Sequence, residues 1–413
     1  MPATEAPPRP GTGRRPESSA RELTVVDLFS GAGGMSCGFA RHPAFQVIGA
    51  ADAEIGKPSS RDGTLGCNSS YSLNIGVEPV RIDLGQIAPE ELSDRLNLAS
   101  QPTVLIACPP CTGFSRTLAK NHLVDDVRNS LVGKVGAFVR SMRPEAVVLE
   151  NARELINGRF SRHFASLKSD LESQGYLVSS RVHFLSEFGL PQRRERALVL
   201  AVRSGYELHD LADLWSGYTV ASEATHVRRA IESLPPVRAG EVHPADPLHV
   251  SPRMLSDVNR RRLSAIPADG GSWFDLVNRP EAGELLTPSM KRRAASGDFG
   301  SHPDVYGRLW WDRPAPTIKR ECGHIGNGRY SHPEQNRLCT VRELALLQGF
   351  PCDYEFEASS LTNMYRHVGD AVPPLVAFQI ASAIAWSLTG ARPAPSELAL
   401  PGSTLRSSDI IEV

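Results

Sequence analysis

The strongest constraint on this chain is an alternation. Between about residues 23 and 202, short β-rich runs at 24–29, 45–51, 103–107, 146–149, 177–184 and 197–202 are separated by stretches that read as helices. One of these, 161–174, carries Phe164, Leu167 and Leu171 at helical spacing and stops at Gly175. Strands that alternate with helices pair through crossovers rather than hairpins. The expected architecture is therefore α/β, a mostly parallel, doubly wound sheet of Rossmann-like type.

After about residue 204 the alternation fails. Pro, Gly, Arg and Trp punctuate irregular segments up to about 337. A helix-like stretch at Val341–Leu347 follows, then an apolar one at 374–388. The latter is entered through Pro373-Pro374 and holds Gln379, so it reads as a buried helix rather than a membrane span. Residues 1–20 and 391–413, rich in Pro and small polar residues, read as tails. The N-terminal stretch has no apolar core of the kind a secretory signal needs.

Composition narrows the class. The 413 residues are 41% hydrophobic and 22% charged, enough for a sizeable core. The 45 Lys and Arg against 46 Asp and Glu give a net charge of −1, which excludes a histone-like blanket of positive charge but not a local nucleic-acid face. Seven cysteines, an odd number in a long chain, point to a reducing cytoplasm rather than a disulfide framework.

Ligands of an open α/β sheet bind beyond the carboxyl ends of its strands. The first strand leads into Asp27-Leu-Phe-Ser-Gly31-Ala-Gly33-Gly34, a loop whose glycines permit a tight turn and close approach at a helix N-terminus. Asp52, 21 residues beyond Gly31, ends the second strand, where an acid accepts hydrogen bonds from ribose hydroxyls. Asp83 could similarly accept from an adenine amine. Strand, glycine loop, helix and acid in that order predict a nucleoside cofactor, NAD or S-adenosylmethionine. The loop is not a clean G-x-G-x-x-G, which leans away from a dinucleotide.

The third strand run ends in Cys108-Pro-Pro-Cys111-Thr-Gly-Phe-Ser115. This supports a C-x-x-C redox pair, half a zinc site, or a nucleophilic Cys111 followed by a mobile lid. Zinc would need the loose set Cys322, His324, Cys339 and Cys352, so no metal is expected. Glu150-Asn151 follows the fourth strand run, and Gln192-Arg-Arg194-Glu-Arg196 precedes the last one. At the two-residue period of a strand, Gln192, Arg194 and Arg196 share a face and could bind a carbonyl-bearing or anionic substrate.

Taken together these residues resemble the cytosine-5 DNA methyltransferase family. The motifs that carry the resemblance occur in order. They are the loop from Asp27 to Gly34, Pro109-Pro-Cys111, Glu150-Asn151, Gln192-x-Arg194-x-Arg196, the run from Arg342 to Pro351, and Tyr365-Arg-His-Val-Gly-Asp370-Ala-Val-Pro-Pro374. The departures are Thr112 where Gln is usual, Ala152 where Val is usual, Asp370 where Asn is common, and a longer link from Gly56 to Tyr71.

The resemblance implies transfer of a methyl group from S-adenosylmethionine to C5 of a cytosine flipped out of double-stranded DNA, leaving S-adenosylhomocysteine. Cys111 is implied as the nucleophile at C6. Glu150 would bind N3 and the exocyclic amine. Arg194 would hold the ring carbonyl, with Arg196 beside it on the same face. Phe29, Ser30, Gly31, Ala32, Gly33, Gly34, Asp52, Asp83, Pro109, Asp370, Ala371 and Val372 are implied in the cofactor pocket, and Ser115, Asn151 and Gln192 against the DNA. The implied layout is a catalytic and cofactor-binding domain at 21–204, a target-recognition domain at 205–336, a hinge segment at 337–362 and a C-terminal return at 363–390. Within 251–340, 14 Lys and Arg stand against 10 acids, an excess of four positive charges that predicts a DNA-facing surface. A cytoplasmic, nucleoid-associated monomer is expected, with no membrane partner and a cognate restriction system as the partner to test for.

Overall fold

Val25, Val26 and Leu28 are wholly buried, and their strand, β1 (Leu23–Leu28), lies in the middle of a seven-stranded sheet. The structure is a computed structural model that describes residues 22–55, 64–110, 125, 127–254, 256–297 and 304–413. Beside β1 on one side are β2 (Phe45–Asp52) and then β3 (Val80–Arg81). On the other side follow β4 (Val104–Ala107), β5 (Ala146–Ala152), then a late strand, and finally β6 (Tyr176–Phe184). The late strand is β8 (Glu195–Arg203); the two-residue β7 (Gln192–Arg193) precedes it outside the sheet. β3, β2, β1, β4 and β5 are mutually parallel, and only β8 runs against its neighbours. The strand order reverses between β1 and β4, and that crevice is where an open sheet binds ligands.

Alternate residues of β1 feed two cores. Val25 joins Val104, Ile106, Val148 and Leu200 on one face, and Val26 and Leu28 join Leu105, Val147, Leu149 and Val199 on the other. Six helices accompany these strands in sequence: α1 (Gly34–Arg41), α2 (Cys67–Ile75), α3 (Pro89–Arg95), α4 (Ser130–Met142), α5 (Glu154–Asn157) and α6 (Arg162–Ser173). α4 and α6 cover the second face with Val132, Val135, Phe164 and Leu167. The first face is covered by α1 and by a helix from the far end of the chain, Pro374–Thr389, whose Val376, Ala377, Ile380 and Ile384 pack beside Met35 and Phe39. That helix is buried over most of its circumference, so its apolar composition serves the core.

The loop-rich half carries short helices α7 (Leu211–Leu214), α8 (Val227–Ile231), α9 (Asp257–Ala265), α10 (Ala282–Leu285) and α11 (Pro288–Ser296). Its small strands are β9 (Tyr218–Val220), β10 (Val242–His243), β11 (Asp246–Val250) and β12 (Ala315–Pro316). Irregular backbone leaves carbonyls that regular ladders would otherwise satisfy. Interior arginines supply the donors. Arg308 reaches the carbonyls of Leu263, Ile266, His332 and Gln335, and Arg329 those of Gly270, Gly271 and Arg308. Arg337 binds the Val237 carbonyl and Glu343. The positive excess expected at a DNA-facing surface is thus met by four buried arginines, 262, 308, 329 and 337. The charge count alone does not identify an outer face.

The return begins with α12 (Val341–Leu347), opened by a capping box between Thr340 and Glu343, and continues through α13 (Leu361–Asp370) to α14 (Pro374–Thr389). The segment 391–413, expected to be a tail, packs instead. Leu398, Leu400 and Leu405 are buried, and a last strand, β13 (Ile410–Glu412), pairs antiparallel with β9. Its Pro and Ser content conceals three leucines with a pocket to fill.

Candidate active site

Three strand ends and the return converge at the crevice. At the end of β1, Phe29 holds a left-handed φ of 61°, followed by Gly31 at 52° and Gly33 at 84°. Left-handed backbone is costly for a phenylalanine and marks a segment held by its surroundings. The loop is pinned from both sides. The Gly31 amide donates to Asp52 Oδ2 at 2.9 Å, and the Tyr354 hydroxyl donates to the Ala32 carbonyl. A Cβ on Gly34 would stand 2.3 Å from the Val372 carbonyl oxygen, so only glycine lets the return lie this close to α1.

The residues fit a nucleoside ligand. Space around Gly31 is open, and the buried Ser30 hydroxyl has no partner among the described residues. Asp52 Oδ1 accepts from the Glu54 amide at 2.6 Å, which fixes the carboxylate at the strand end. Glu54 itself is occupied, accepting from the Asn68 amide. Asp83 accepts from the Gly85 amide and the Gln86 side chain, so it caps its own loop.

Three carboxylates face this region. Burial raises the Asp27 carboxyl to about 7, against a hydrogen bond donated by Ser36 Oγ at 2.6 Å. Burial also raises Asp52, opposed by its backbone hydrogen bonds. The Asp370 carboxyl is pushed up to about 6, where the partial desolvation of a half-buried site outweighs the nearby Arg320 and Arg194. Water still reaches the Asp370 side chain, as expected on the wall of a concave site.

At the carboxyl end of β5, Glu150 is buried, and Arg196 Nε lies 2.8 Å from its Oε1. The antiparallel sense of β8 explains the meeting. Ala152 pairs with Arg196 and Glu150 with Leu198, so the amino end of β8 lies where β5 finishes. Asn151 donates to the Pro109 carbonyl at 2.9 Å and accepts from the Ala152 amide, tying the end of β5 to the segment after β4. Cys108 lies between these ends, and burial holds its thiol well above its usual range, with Glu150 and Asp27 adding to the shift. A thiol kept protonated suits a structural cysteine better than a redox partner. Cys111, Ser115 and most of the expected lid, which runs to about Leu131, fall on residues 111–124, outside the described residues; the lid's last residues form a helical turn at Val127–Asn129 and the start of α4.

Two expectations about the Gln-x-Arg-x-Arg run are corrected. The backbone leaves extended geometry at Arg194, whose amide donates to the Gln192 carbonyl, so the three side chains do not share a face. Gln192 is fully buried, accepting from the Ile318 amide and donating to Gln348 Oε1 and the Leu347 carbonyl, so its amide is spent inside the protein. Asn151, likewise expected against DNA, is internally engaged. Arg194 is also buried and donates to the carbonyls of Ile318 and Ala371 at 2.9 and 3.3 Å. The guanidinium beside Glu150 thus belongs to Arg196 and not to Arg194, the residue expected at the ring carbonyl, which is turned towards the Ile318 and Ala371 carbonyls. Tyr354, Tyr71 and Arg320 were missed from sequence, because nothing local in 337–362, 67–75 or 315–322 marks them as neighbours of the glycine loop.

The model of the C-5 cytosine-specific DNA methylase family matches residues 23–386. The chain is 32% identical over 370 residues to the Type II methylase M.HgiDII of Herpetosiphon aurantiacus, covering 89% of this chain and 96% of that one. It is 30% identical to the Type II methyltransferase M.NgoFVII of Neisseria gonorrhoeae, covering 89% and 87%. Among solved structures, a DNA modification methyltransferase encoded within an Escherichia coli prophage aligns with a TM-score of 0.57 at 20% identity, over 89% of this chain and 99% of that one. The Dnmt2 methyltransferase of S. pombe aligns equally well at 17% identity, over 88% and 99%. The solved structures speak to the fold.

Proposed function

Because the chain belongs to the C-5 cytosine-specific DNA methylase family, and is thus a DNA (cytosine-5-)-methyltransferase, we propose that it modifies a cytosine flipped out of a specific double-stranded sequence through a covalent bond from Cys111 to C6. The observation that carries this is the Glu150–Arg196 pair, set beside the end of β4 that leads through Pro109 and Pro110 to Cys111. S-adenosylmethionine would supply the methyl group, and the Asp52 carboxylate fixed beside the Gly31 amide suits ribose hydroxyls and a cationic ligand better than the anionic pyrophosphate of NAD.

Cytosine C5 is a poor nucleophile until a thiolate adds at C6 and makes the ring enamine-like. Cys111 forms that bond. Glu150 binds N3 and the exocyclic amine, stabilising the protonated ring, and Arg196 holds the ring carbonyl. After methyl transfer a base removes the C5 proton, the C6–sulfur bond breaks, and Cys111 leaves as a thiolate. Flipping costs a few kcal/mol of lost stacking and pairing. Residues 205–336 are assigned the reading of the DNA sequence. The Type II names of the relatives support a cognate restriction system; the enzyme we infer is a cytoplasmic, nucleoid-associated monomer.

The test is covalent trapping. DNA with 5-fluorocytosine at the target should form a denaturant-stable adduct on Cys111 only when S-adenosylmethionine is present, since fluorine replaces the proton that must leave. Cys111→Ala should abolish the adduct but keep DNA binding, Cys108→Ser should retain it, and Glu150→Gln should slow it strongly. An adduct on Cys108, or trapping indifferent to the cofactor, refutes the mechanism.

A further inference from the structure

The asparagine common in the last family motif is replaced here by Asp370, which adds a carboxylate to a site already holding Asp27 and Asp52. The segment 315–320 supplies its counter-charge. β12 pairs in parallel with β7, so Ala315 lies beside Gln192 and Pro316 beside Arg193. Gln192 and Arg194 then hold the amide and carbonyl of Ile318. One residue on, the Lys319 carbonyl oxygen lies 2.3 Å from where a Cβ on Gly369 would be, an approach only glycine allows. The next side chain, Arg320, donates from Nη1 to Asp370 Oδ2. Its charge is also felt at Asp52, across the glycine loop. The adjacent acid, Glu321, is paired with Arg366 at 3.2 Å.

We propose that Arg320, delivered from the inserted half of the chain, is a cofactor-pocket residue whose pairing with Asp370 takes the place of the neutral asparagine and sets how strongly the protein prefers a sulfonium nucleoside to its uncharged thioether. This rests on the cofactor reading above. The two ligands share the nucleoside and the amino-acid end, so the ratio of their affinities isolates the response to one positive charge at sulfur. Removing Arg320 leaves the pocket more negative and raises the preference for the sulfonium. Removing the Asp370 charge leaves it more positive and lowers that preference.

The experiment measures dissociation constants of S-adenosylmethionine and S-adenosylhomocysteine by calorimetry on the full chain. At about pH 8, Arg320→Met should raise the sulfonium-to-thioether affinity ratio by a few fold, and Asp370→Asn should lower it by about fivefold, the order expected of one partly screened unit charge. The double variant should return to the wild-type ratio even if both affinities fall, and Arg320→Lys should keep it. A shift of the single variants in the same direction, or an unmoved ratio in a wild type and variants that bind, overturns this proposal alone. A wild type that binds neither ligand overturns the cofactor reading and the proposal with it.

Discussion

Gly34→Ala tests whether the contact between α1 and the return shapes the cofactor pocket. The added Cβ would lie 2.3 Å from the Val372 carbonyl oxygen and 2.9 Å from the Ala371 Cβ. A carbon–oxygen contact needs about 3.3 Å, so the two backbones must part by about 1 Å. Overpacking of this kind costs about 1–3 kcal/mol, while alanine in a helix gains about 1 kcal/mol over glycine. The steric effect wins because the obstructing atoms are backbone, and the net loss should be up to about 2 kcal/mol in urea unfolding. The shift displaces Ala371 and Val372 from the glycine loop, and a 1 Å error in a binding constellation should weaken S-adenosylhomocysteine about ten- to hundredfold. Gly38→Ala is the control. Its Cβ would lie 2.3 Å from the Phe378 amide nitrogen and 2.4 Å from the Ala377 carbonyl carbon, in the same helix pair but one turn further from the loop. It should lose comparable stability and at most about threefold in affinity. Calorimetric titration beside urea melts gives both quantities. Equal losses of affinity in the two variants, or none in Gly34→Ala, would refute the argument.

Arg337 and Glu343 form a bidentate pair at 2.7 and 2.8 Å with both side chains only 1% exposed, so Arg337→Met should cost about 3–5 kcal/mol by stranding a buried carboxylate. Burial would raise Glu343, but Arg337 overrides it and holds the carboxyl below its ordinary 4.5, so the pair's contribution is present above that value and lost as pH falls through the depressed one. In Arg337→Met the Glu343 shift reverses, and the deficit in urea unfolding should be smaller at about pH 4 than at about pH 7; a pH-independent deficit would count against this account. Deleting 391–413 removes the buried Leu398, Leu400 and Leu405, uncovers Leu375 and Phe378 beneath them and unpairs β9. Because the residues they cover, Leu375 and Phe378, become exposed, the shortened protein should unfold at lower urea, and an unchanged melt would show that the packing there contributes nothing.

The parallel sheet was legible because its strands are buried on both faces and therefore read as continuous apolar runs, as Val104–Ala107 does. β3, two residues long, carries no periodicity to find. Glu150 was legible as the acid at a strand end, yet its partner was not. Assigning Gln192, Arg194 and Arg196 to one face assumed an unbroken strand, and the turn at Arg194 sends the first two towards the return and leaves only the third at the site. The inserted half misled in another way. A charge count cannot distinguish an arginine offered to phosphate from one such as Arg308, whose donors are consumed by loop carbonyls. Asp370 stood out as a departure, but Arg320 lies 50 residues earlier, and only the close approach at Gly369 brings them together.

The brace from Gln192 and Arg194 to Ile318 also bears on where residues 205–336 could be exchanged for those of a relative. A crossover at residue 336 replaces Arg320, the side-chain partner of Asp370, together with the stretch of backbone that Gln192 and Arg194 hold. A crossover ahead of Ala315 keeps all three native. A chimera joined before β12 should therefore keep its stability better than one joined at residue 336.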